Sequence, residues 1–404
     1  MKILLVAFTL LSVACNGQSG RQKNRPAAKN RAEGIIVGAA RLDQYLPLLR
    51  GKRVGILTNQ TALVGDTHVV DTLLKKHVQI VRIFGPEHGF RGNADAGAPV
   101  ANDTDQKTGI PVVSLYGRHN KPTPAELADI DVMLYDIQDV GVRFYTYINS
   151  MQLFMEAAAE NHKKLIILDR PDPNGFYVDG PVLEKKFYSG VGMQPIPIVY
   201  GMTIGEYARM LAGEHWLNNP NMKPDLVVIP CLNYTHDSLY TLPVKPSPNL
   251  PNMASVYLYP SLCLFEGTYC SVGRGTKHPF QLFGHPSFPA GLYTFVPEST
   301  EGAIHPKLEG QACHGYLVAV AAKEALQQVN RRIQLKWVMT AYRLSPDKRD
   351  FFTSYFNKLA GTDQLMQQIK DGWGEKKIRQ SWEPALTAFK RIRKKYLLYP
   401  DFTE

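Results

Sequence analysis

Residues 132–147 read VMLYDIQDVGVRFYTY. The run Val132 to Ile137 is apolar apart from Asp136, without the alternation of a half-exposed strand. A short stretch of this kind is a strand covered on both faces. It ends in Asp136, Gln138 and Asp139. From Tyr147 to Asn161 the spacing turns helical, with a Met/Leu/Phe face. The same unit of strand, polar loop and helix recurs on either side. Lys52 to Asn59 is a β-branched run, followed by helical spacing over Thr67 to Lys76. Val78 to Phe84 leads into Gly85-Pro86-Glu87-His88-Gly89. Pro111 to Tyr116 precedes a short helix over Ala125 to Ile130. Leu165 to Leu168 ends in Asp169-Arg170-Pro171. Thr203 opens a helix to Trp216, and Glu206 three places on completes a capping box. Leu226 to Ile229 is a sixth strand. Buried strands alternating with helices predict an α/β fold, a Rossmann-like αβα domain with a mostly parallel sheet.

In such sheets ligands lie beyond the carboxyl ends of the strands. Polar clusters fall at those ends: Asn59-Gln60, Glu87-His88, Tyr116, Asp136-Gln138-Asp139 and Asp169-Arg170. The Pro-rich stretch 243–251 (PVKPSPNLP) reads as a boundary. The expected organisation is a Rossmann-like domain over 34–247 and a smaller α+β domain over 248–404, with a cleft between them. In the second part Tyr257–Tyr269 and Phe280–Val296 are aromatic and broken by Gly and Pro. Helices are expected near 315–330, 363–370 and 382–395.

The first fifteen residues read as an address. Lys2 is followed by an apolar run, Ile3 to Val13, too short to span a bilayer. Ser12-Val13-Ala14 before Cys15 resembles a bacterial lipoprotein signal, with Cys15 lipidated; an ordinary secretory signal cut after Ala14 is the other reading. Both export the chain, and the first holds it on the periplasmic side of a membrane. Residues 16–33 are polar and read as a flexible tether. Of the remaining cysteines, Cys231, Cys263, Cys270 and Cys313, none forms a CxxC pair, which disfavours a zinc or thioredoxin motif.

The 404 residues carry a formal net charge of +10. Residues 1–33 account for +5 and residues 376–395 for +7, leaving −2 on the rest. The excess therefore sits on the tether and on one presumed C-terminal helix, whose basic face is either solvated or attracts an anionic polymer. A nucleic-acid groove, with basic residues interleaved with aromatics, is not indicated. No G-x-G-x-x-G follows the first strand and no G-x-x-x-x-G-K-[ST] occurs, which disfavours a nucleotide enzyme. No G-x-S-x-G and no H-E-x-x-H appears. The scattered histidines give no metal spacing. No cofactor is expected.

Carboxylates, amides, Arg and Tyr remain, a set suited to sugar binding and acid–base work. Glu87 lies in FGPEHGFRG, flanked by Phe84 and Phe90. A partly desolvated carboxyl is suited to general-acid catalysis; the other reading is a turn cap. His88 is a second acid–base candidate. Asp136 and Asp139 supply a second carboxylate, or close an internal Asp–Arg network. Asn59, Tyr116, Gln138 and Arg143 are candidate ligand contacts, and Tyr145 and Tyr147 can stack on a sugar. In LFEGTYCSVGRGT, Glu266 and Arg274 are either ligand-binding groups or a structural ion pair.

These segments, with GILTNQTAL, TGIPVVSLYG, LDRPDPNG, PSPNLP, the terminal W-x-x-x-L and KKYLLYP, resemble the NamZ family of exo-β-N-acetylmuramidases from about Gly55 to Pro400. The resemblance implies a glycoside hydrolase that releases N-acetylmuramic acid from the non-reducing end of peptidoglycan fragments, at a β-1,4 link to N-acetylglucosamine. It places the family's proposed catalytic glutamate at Glu87. Muramic acid carries a lactyl carboxylate, which calls for a cation: Arg274 and Arg143 are candidates, with Arg91 third. Its 2-acetamido group can attack its own anomeric carbon, leaving a carboxylate only to orient it. The Asp136/Asp139 pair is expected in that second role, ahead of Glu266. The alternatives are a non-catalytic cell-wall glycan-binding lipoprotein and an N-acetylglucosaminidase.

Overall fold

The computed structural model describes residues 34–87, 89–90 and 103–403. The address and tether with Cys15 lie outside the described residues, as do His88 and Arg91. Residues Ile35–Glu404 form one compact unit.

The strands are β1 (Arg53–Thr58), β2 (Leu63–Val64), β3 (Thr67–His68), β4 (Gln79–Gly85), β5 (Asp103–Thr104), β6 (Pro111–Ser114), β7 (Val132–Asp136), β8 (Lys164–Leu168), β9 (Leu226–Ile229), β10 (Leu282–His285), β11 (Tyr293–Phe295) and β12 (Cys313–Leu317). The helices are α1 (Leu42–Leu49), α2 (Val69–Lys75), α3 (Pro124–Leu127), α4 (Tyr147–Glu160), α5 (Ile204–Gly213), α6 (Met253–Leu262), α7 (Ala322–Val329), α8 (Leu335–Leu344), α9 (Tyr355–Ala360), α10 (Gln364–Lys370) and α11 (Glu375–Lys394).

Seven strands form the main sheet in the order β5-β6-β4-β1-β7-β8-β9. All neighbours are parallel except the edge pair β5–β6. Without β5 this is the doubly wound order of a Rossmann-like sheet, reversing between β1 and β7. Ile56 stands opposite Ile83 on one side and Leu134 on the other. Strand periodicity sends these side chains to one face, with Val54, Ile166 and Leu168, against Tyr45, Leu49, Val70 and Leu73 of α1 and α2. Leu57, Phe84, Met133, Tyr135, Leu165 and Ile167 face the other way, into a core with α4 and α5. That core continues into α6–α11, so the second sheet face and the C-terminal residues share one hydrophobic interior.

Several expected elements shift. Thr67 and His68 form a hairpin strand with β2, and the helix starts only at Val69. The helix expected over 315–330 divides into β12 and α7. α11 starts at Glu375, before the expected 382, and buries Ile378, Trp382, Leu386, Phe389 and Arg393 along one face. α6 was hidden within the aromatic stretch. Nine of its ten residues are buried, so it shows no polar face and hence no helical period. Its readable signal was the capping box between Asn252 and Ser255.

Candidate active site

β4 ends at Gly85, and the chain turns at Pro86 to present Glu87. β6 ends beside it, and two residues later Tyr116 donates its hydroxyl to Glu87 Oε1 at 3.0 Å. The N-terminus of α4 completes the setting. Thr146 Oγ1 stands 3.5 Å from Glu87 Oε2, and the Tyr147 hydroxyl donates to the Glu87 carbonyl at 3.4 Å. Burial, reinforced by the Glu87 charge, pushes the Tyr116 hydroxyl up to about 12, so it remains a donor at neutral pH.

Glu87, Tyr116, Thr146 and Tyr147 line one side of a cleft of about 590 Å³, within the range of small-molecule sites. The lining also includes residues from beyond the Pro-rich stretch, Tyr259, Glu266, Arg274 and Tyr355. Glu266 sits on a 3₁₀ turn, Cys263–Gly267, that continues α6. Arg274 Nε donates to Glu266 Oε1 at 2.7 Å, while Cys263 Sγ lies 3.4 Å from Oε2. The Arg274 guanidinium lies over the Phe280 ring at 4.9 Å. Glu266 engages one N–H of that planar fork, and Arg274 itself lines the cleft. Tyr355, the first residue of α9, also lines the cleft. Its hydroxyl is raised by burial and by the charges of Glu266 and Glu87, against the lowering effect of Arg274.

The structure thus brings together Glu87, Tyr116, Tyr145, Tyr147, Glu266 and Arg274 from the expected set. Tyr145 is mostly buried. Its hydroxyl donates to the Pro246 carbonyl at 2.7 Å, and its ring packs edge-on against Tyr147. It therefore forms cleft wall and ties β7's loop to the Pro-rich segment.

The other described candidates do not line the cleft. Asp136 is fully buried in a two-bond ion pair with Arg170, at 2.6 and 2.9 Å. Asp139 is held by Tyr200 and by the Gly141 amide, and burial pushes it up to about 6. Gln138 donates to the carbonyls of Asp139 and Pro171. Asn59 accepts from the amide and hydroxyl of Thr61, closing the turn after β1. These four groups fill the crevice at the strand-order reversal, where a doubly wound sheet holds a dinucleotide. The expected second carboxylate at Asp136 or Asp139 is corrected accordingly: both serve an internal network, and the second carboxylate lining the cleft is Glu266. Arg143 is likewise withdrawn as a ligand contact. It is fully buried and donates to the Leu359 carbonyl at 2.8 Å.

Sequence reasoning missed Tyr259, Tyr355, Asn149 and the Gly190–Val191 loop, all of which line the cleft. Asn149 gave a readable signal, a polar residue in the first turn of a helix that follows a strand end; its Nδ2 ties the Gly190 carbonyl at 2.7 Å. Tyr355 gave none, because it comes from a short helix far along the chain.

Residues 54–254 match the family model described as exo-β-N-acetylmuramidase NamZ, N-terminal, and residues 257–399 match its C-terminal counterpart. The chain is similar to the peptidoglycan β-N-acetylmuramidase NamZ of Bacillus subtilis, with 37% identity over 98% of this chain and 97% of that protein. A crystal structure of a DUF1343 family protein from Bacteroides fragilis is 46% identical, covering 91% of this chain and 99% of that one, with a TM-score of 0.84. A second DUF1343 structure from the same organism is 32% identical, covering 90% and 99%, with a TM-score of 0.72.

Proposed function

The chain belongs to the NamZ family of exo-β-N-acetylmuramidases and is a glycoside hydrolase; from that premise we propose that it releases N-acetylmuramic acid from the non-reducing end of peptidoglycan fragments, with Glu87 as the general acid. The observation that carries the reading is the Glu87 carboxyl lining the cleft, bonded by Tyr116 and sharing that cleft with a second carboxylate–cation pair, Glu266 and Arg274.

Glu87 gives its proton to the glycosidic oxygen as the bond to N-acetylglucosamine breaks. The carboxylate left behind is stabilised by hydroxyl donors from Tyr116 and Thr146. Those bonds strengthen as negative charge develops, so they favour the transition state over the ground state. Glu266 orients the 2-acetamido group or the water that completes the reaction. Arg274 grips the lactyl carboxylate, a charge-assisted contact that an N-acetylglucosamine residue cannot make. Tyr145, Tyr147, Tyr259 and Tyr355 supply ring faces and edges for the sugar.

The test is release of a chromogenic aglycone from a β-N-acetylmuramic acid glycoside, beside the matching N-acetylglucosamine glycoside. The wild type turns over the first, and Glu87→Gln is inactive while keeping its fold. Near-normal turnover by Glu87→Gln would sink the acid assignment. Preference for the glucosamine substrate would favour an N-acetylglucosaminidase, and binding without turnover a glycan-binding protein.

The chain is further read as exported and anchored through Cys15 on the periplasmic side of a bacterial membrane. The apolar run Ile3–Val13, the small residues before Cys15 and the polar segment after it support this reading. Cys15→Ala should move the protein from the membrane to the soluble fraction.

A further inference from the structure

Arg143 is a buried cation that the acid–base chemistry does not use. Its side chain is fully buried, and among the described residues no carboxylate pairs with it. The guanidinium donates to backbone carbonyls at the C-terminus of α9, Leu359 at 2.8 Å and Lys358 at 3.5 Å. The backbone approaches it on two further sides. A Cβ on Gly361 would stand 2.8 Å from Nη2, and one on Gly192 would stand 2.9 Å from Nη1. Gly361 also has a φ of +83°, which ends α9 there. Burial without an acidic partner pushes Arg143 down to about 9. An unpaired buried charge is costly, and breaking its contacts would leave helix-end carbonyls unsatisfied.

Its place in the fold explains what that cost supports. Arg143 immediately precedes Phe144, Tyr145, Thr146 and Tyr147, which line the Glu87 side of the cleft. Its own amide is fixed on the Ile198 carbonyl at 2.8 Å. α9 reaches the other side. At the N-terminal end of α9, Phe356 packs so close to the turn bearing Glu266 that a Cβ on Gly267 would stand 2.3 Å from Phe356 Cα. The Thr353 amide bonds the Gly267 carbonyl at 2.9 Å. α9 is therefore fastened at one end to the Glu266 turn and at the other to Arg143, with Tyr355 facing the cavity.

We propose that Arg143 is a positioning residue that sets the spacing of the two cleft walls through α9 and so holds Tyr355 against the bound sugar. This rests on the cleft being the sugar site. Its consequence falls on substrate binding, because Tyr355 loses its placement while the Glu87 loop stays tied to the end of β4 and to Tyr116.

The experiment is a double-mutant cycle on the chromogenic muramic acid glycoside, using Arg143→Met, Tyr355→Ala and their combination, with kcat and KM measured separately. Each single change is expected to raise KM by about tenfold, with kcat changed by less than about threefold. The double variant is expected to be no worse than the poorer single by more than about twofold, because both act on one contact. Arg143→Lys, which still reaches a carbonyl, recovers part of the KM. Should Arg143→Met not accumulate as folded protein, the same cycle is run with Arg143→Lys. KM effects that multiply in the double variant overturn the proposal, as does a lowered melting temperature with KM unchanged. A wild type without turnover would instead refute the sugar-site reading itself.

Discussion

The Tyr116 hydroxyl donates to Glu87 Oε1 at 3.0 Å, joining the loops after two adjacent parallel strands, β4 and β6. The bond fixes one carboxylate oxygen and leaves the orientation of the other to Thr146 and the cleft. A donor of this kind assists the step in which Glu87 loses its proton. Tyr116→Phe should therefore lower kcat by about ten- to a hundredfold while moving KM by less than about threefold. Steady-state kinetics on the muramic acid glycoside checks this. An unchanged kcat would remove Tyr116 from the acid's support.

The Glu266–Arg274 pair governs choice of substrate. Arg274→Met removes the cation and leaves the Glu266 charge alone in the wall, so a substrate carboxylate meets repulsion where it met a donor. A charge-assisted hydrogen bond of about 1.5–3 kcal/mol translates into about a ten- to hundredfold loss on muramic acid glycosides. The slow rate on the N-acetylglucosamine analogue should stay within about threefold, so the ratio of the two kcat/KM values is the informative quantity. Equal losses on both substrates would place Arg274 in a structural role alone.

Buried carboxylates away from the cleft set a pH dependence of stability. Burial raises Asp139 to about 6 against an ordinary value near 4. Between those values the folded chain binds more protons than the unfolded chain, so stability falls as pH rises through that window. The contribution is fully present below about pH 4, lost by about pH 6 and amounts to about 3 kcal/mol. Asp139→Asn cannot ionise. Its urea midpoint should therefore improve relative to wild type between pH 4 and pH 7. A difference that does not vary with pH would contradict the raised value.

The central sheet was legible because its inner strands are buried on both faces and so appear as unbroken apolar runs. Val132–Asp136 and Lys164–Leu168 needed no tertiary information. The order of those strands was not legible, and that order decides which polar clusters meet. Glu87 and Tyr116 come together because β4 and β6 are neighbours. Asp136 meets Arg170 instead, since β7 and β8 are neighbours, and the pair closes the crevice from within. Residue type alone did not separate these outcomes: both loops carry acids at strand ends. Glu266 and Arg274, eight residues apart, were visible as a pair, but their sharing one cleft with Glu87 depends on long-range packing. The charge of α11 shows the same limit. Arg393 is buried on Asp401 and the Gly201 carbonyl, and Arg379 bonds Asp179, so part of the apparent basic face is structural.

The C-terminal residues close a buried acidic cluster at the ends of β8 and β9. The Tyr399 hydroxyl donates to Asp169 Oδ2 at 2.5 Å and accepts from the Cys231 amide at 2.8 Å. Thr203 and the Gly205 amide bond the same carboxylate, which burial pushes up to about 6. Nearby, the Leu398 amide donates to Glu206, whose carboxylate also faces His236. Tyr399→Phe removes one hydroxyl, which leaves the Cys231 amide without its acceptor and takes from Asp169 Oδ2 one donor, Thr203 remaining. The orphaned amide costs about 1–3 kcal/mol, and the donor lost from the still partly bonded carboxylate about 1–2 kcal/mol more. The expected loss is therefore about 2–5 kcal/mol in urea unfolding, greater at pH 7 than at pH 4 because the carboxylate that has lost a donor is charged only at the higher pH. Tyr399 does not line the cleft. Turnover per folded molecule should stay within about twofold when assayed well below the melting temperature. A variant with wild-type stability at pH 7 would show that the cluster does not depend on the C-terminal tyrosine.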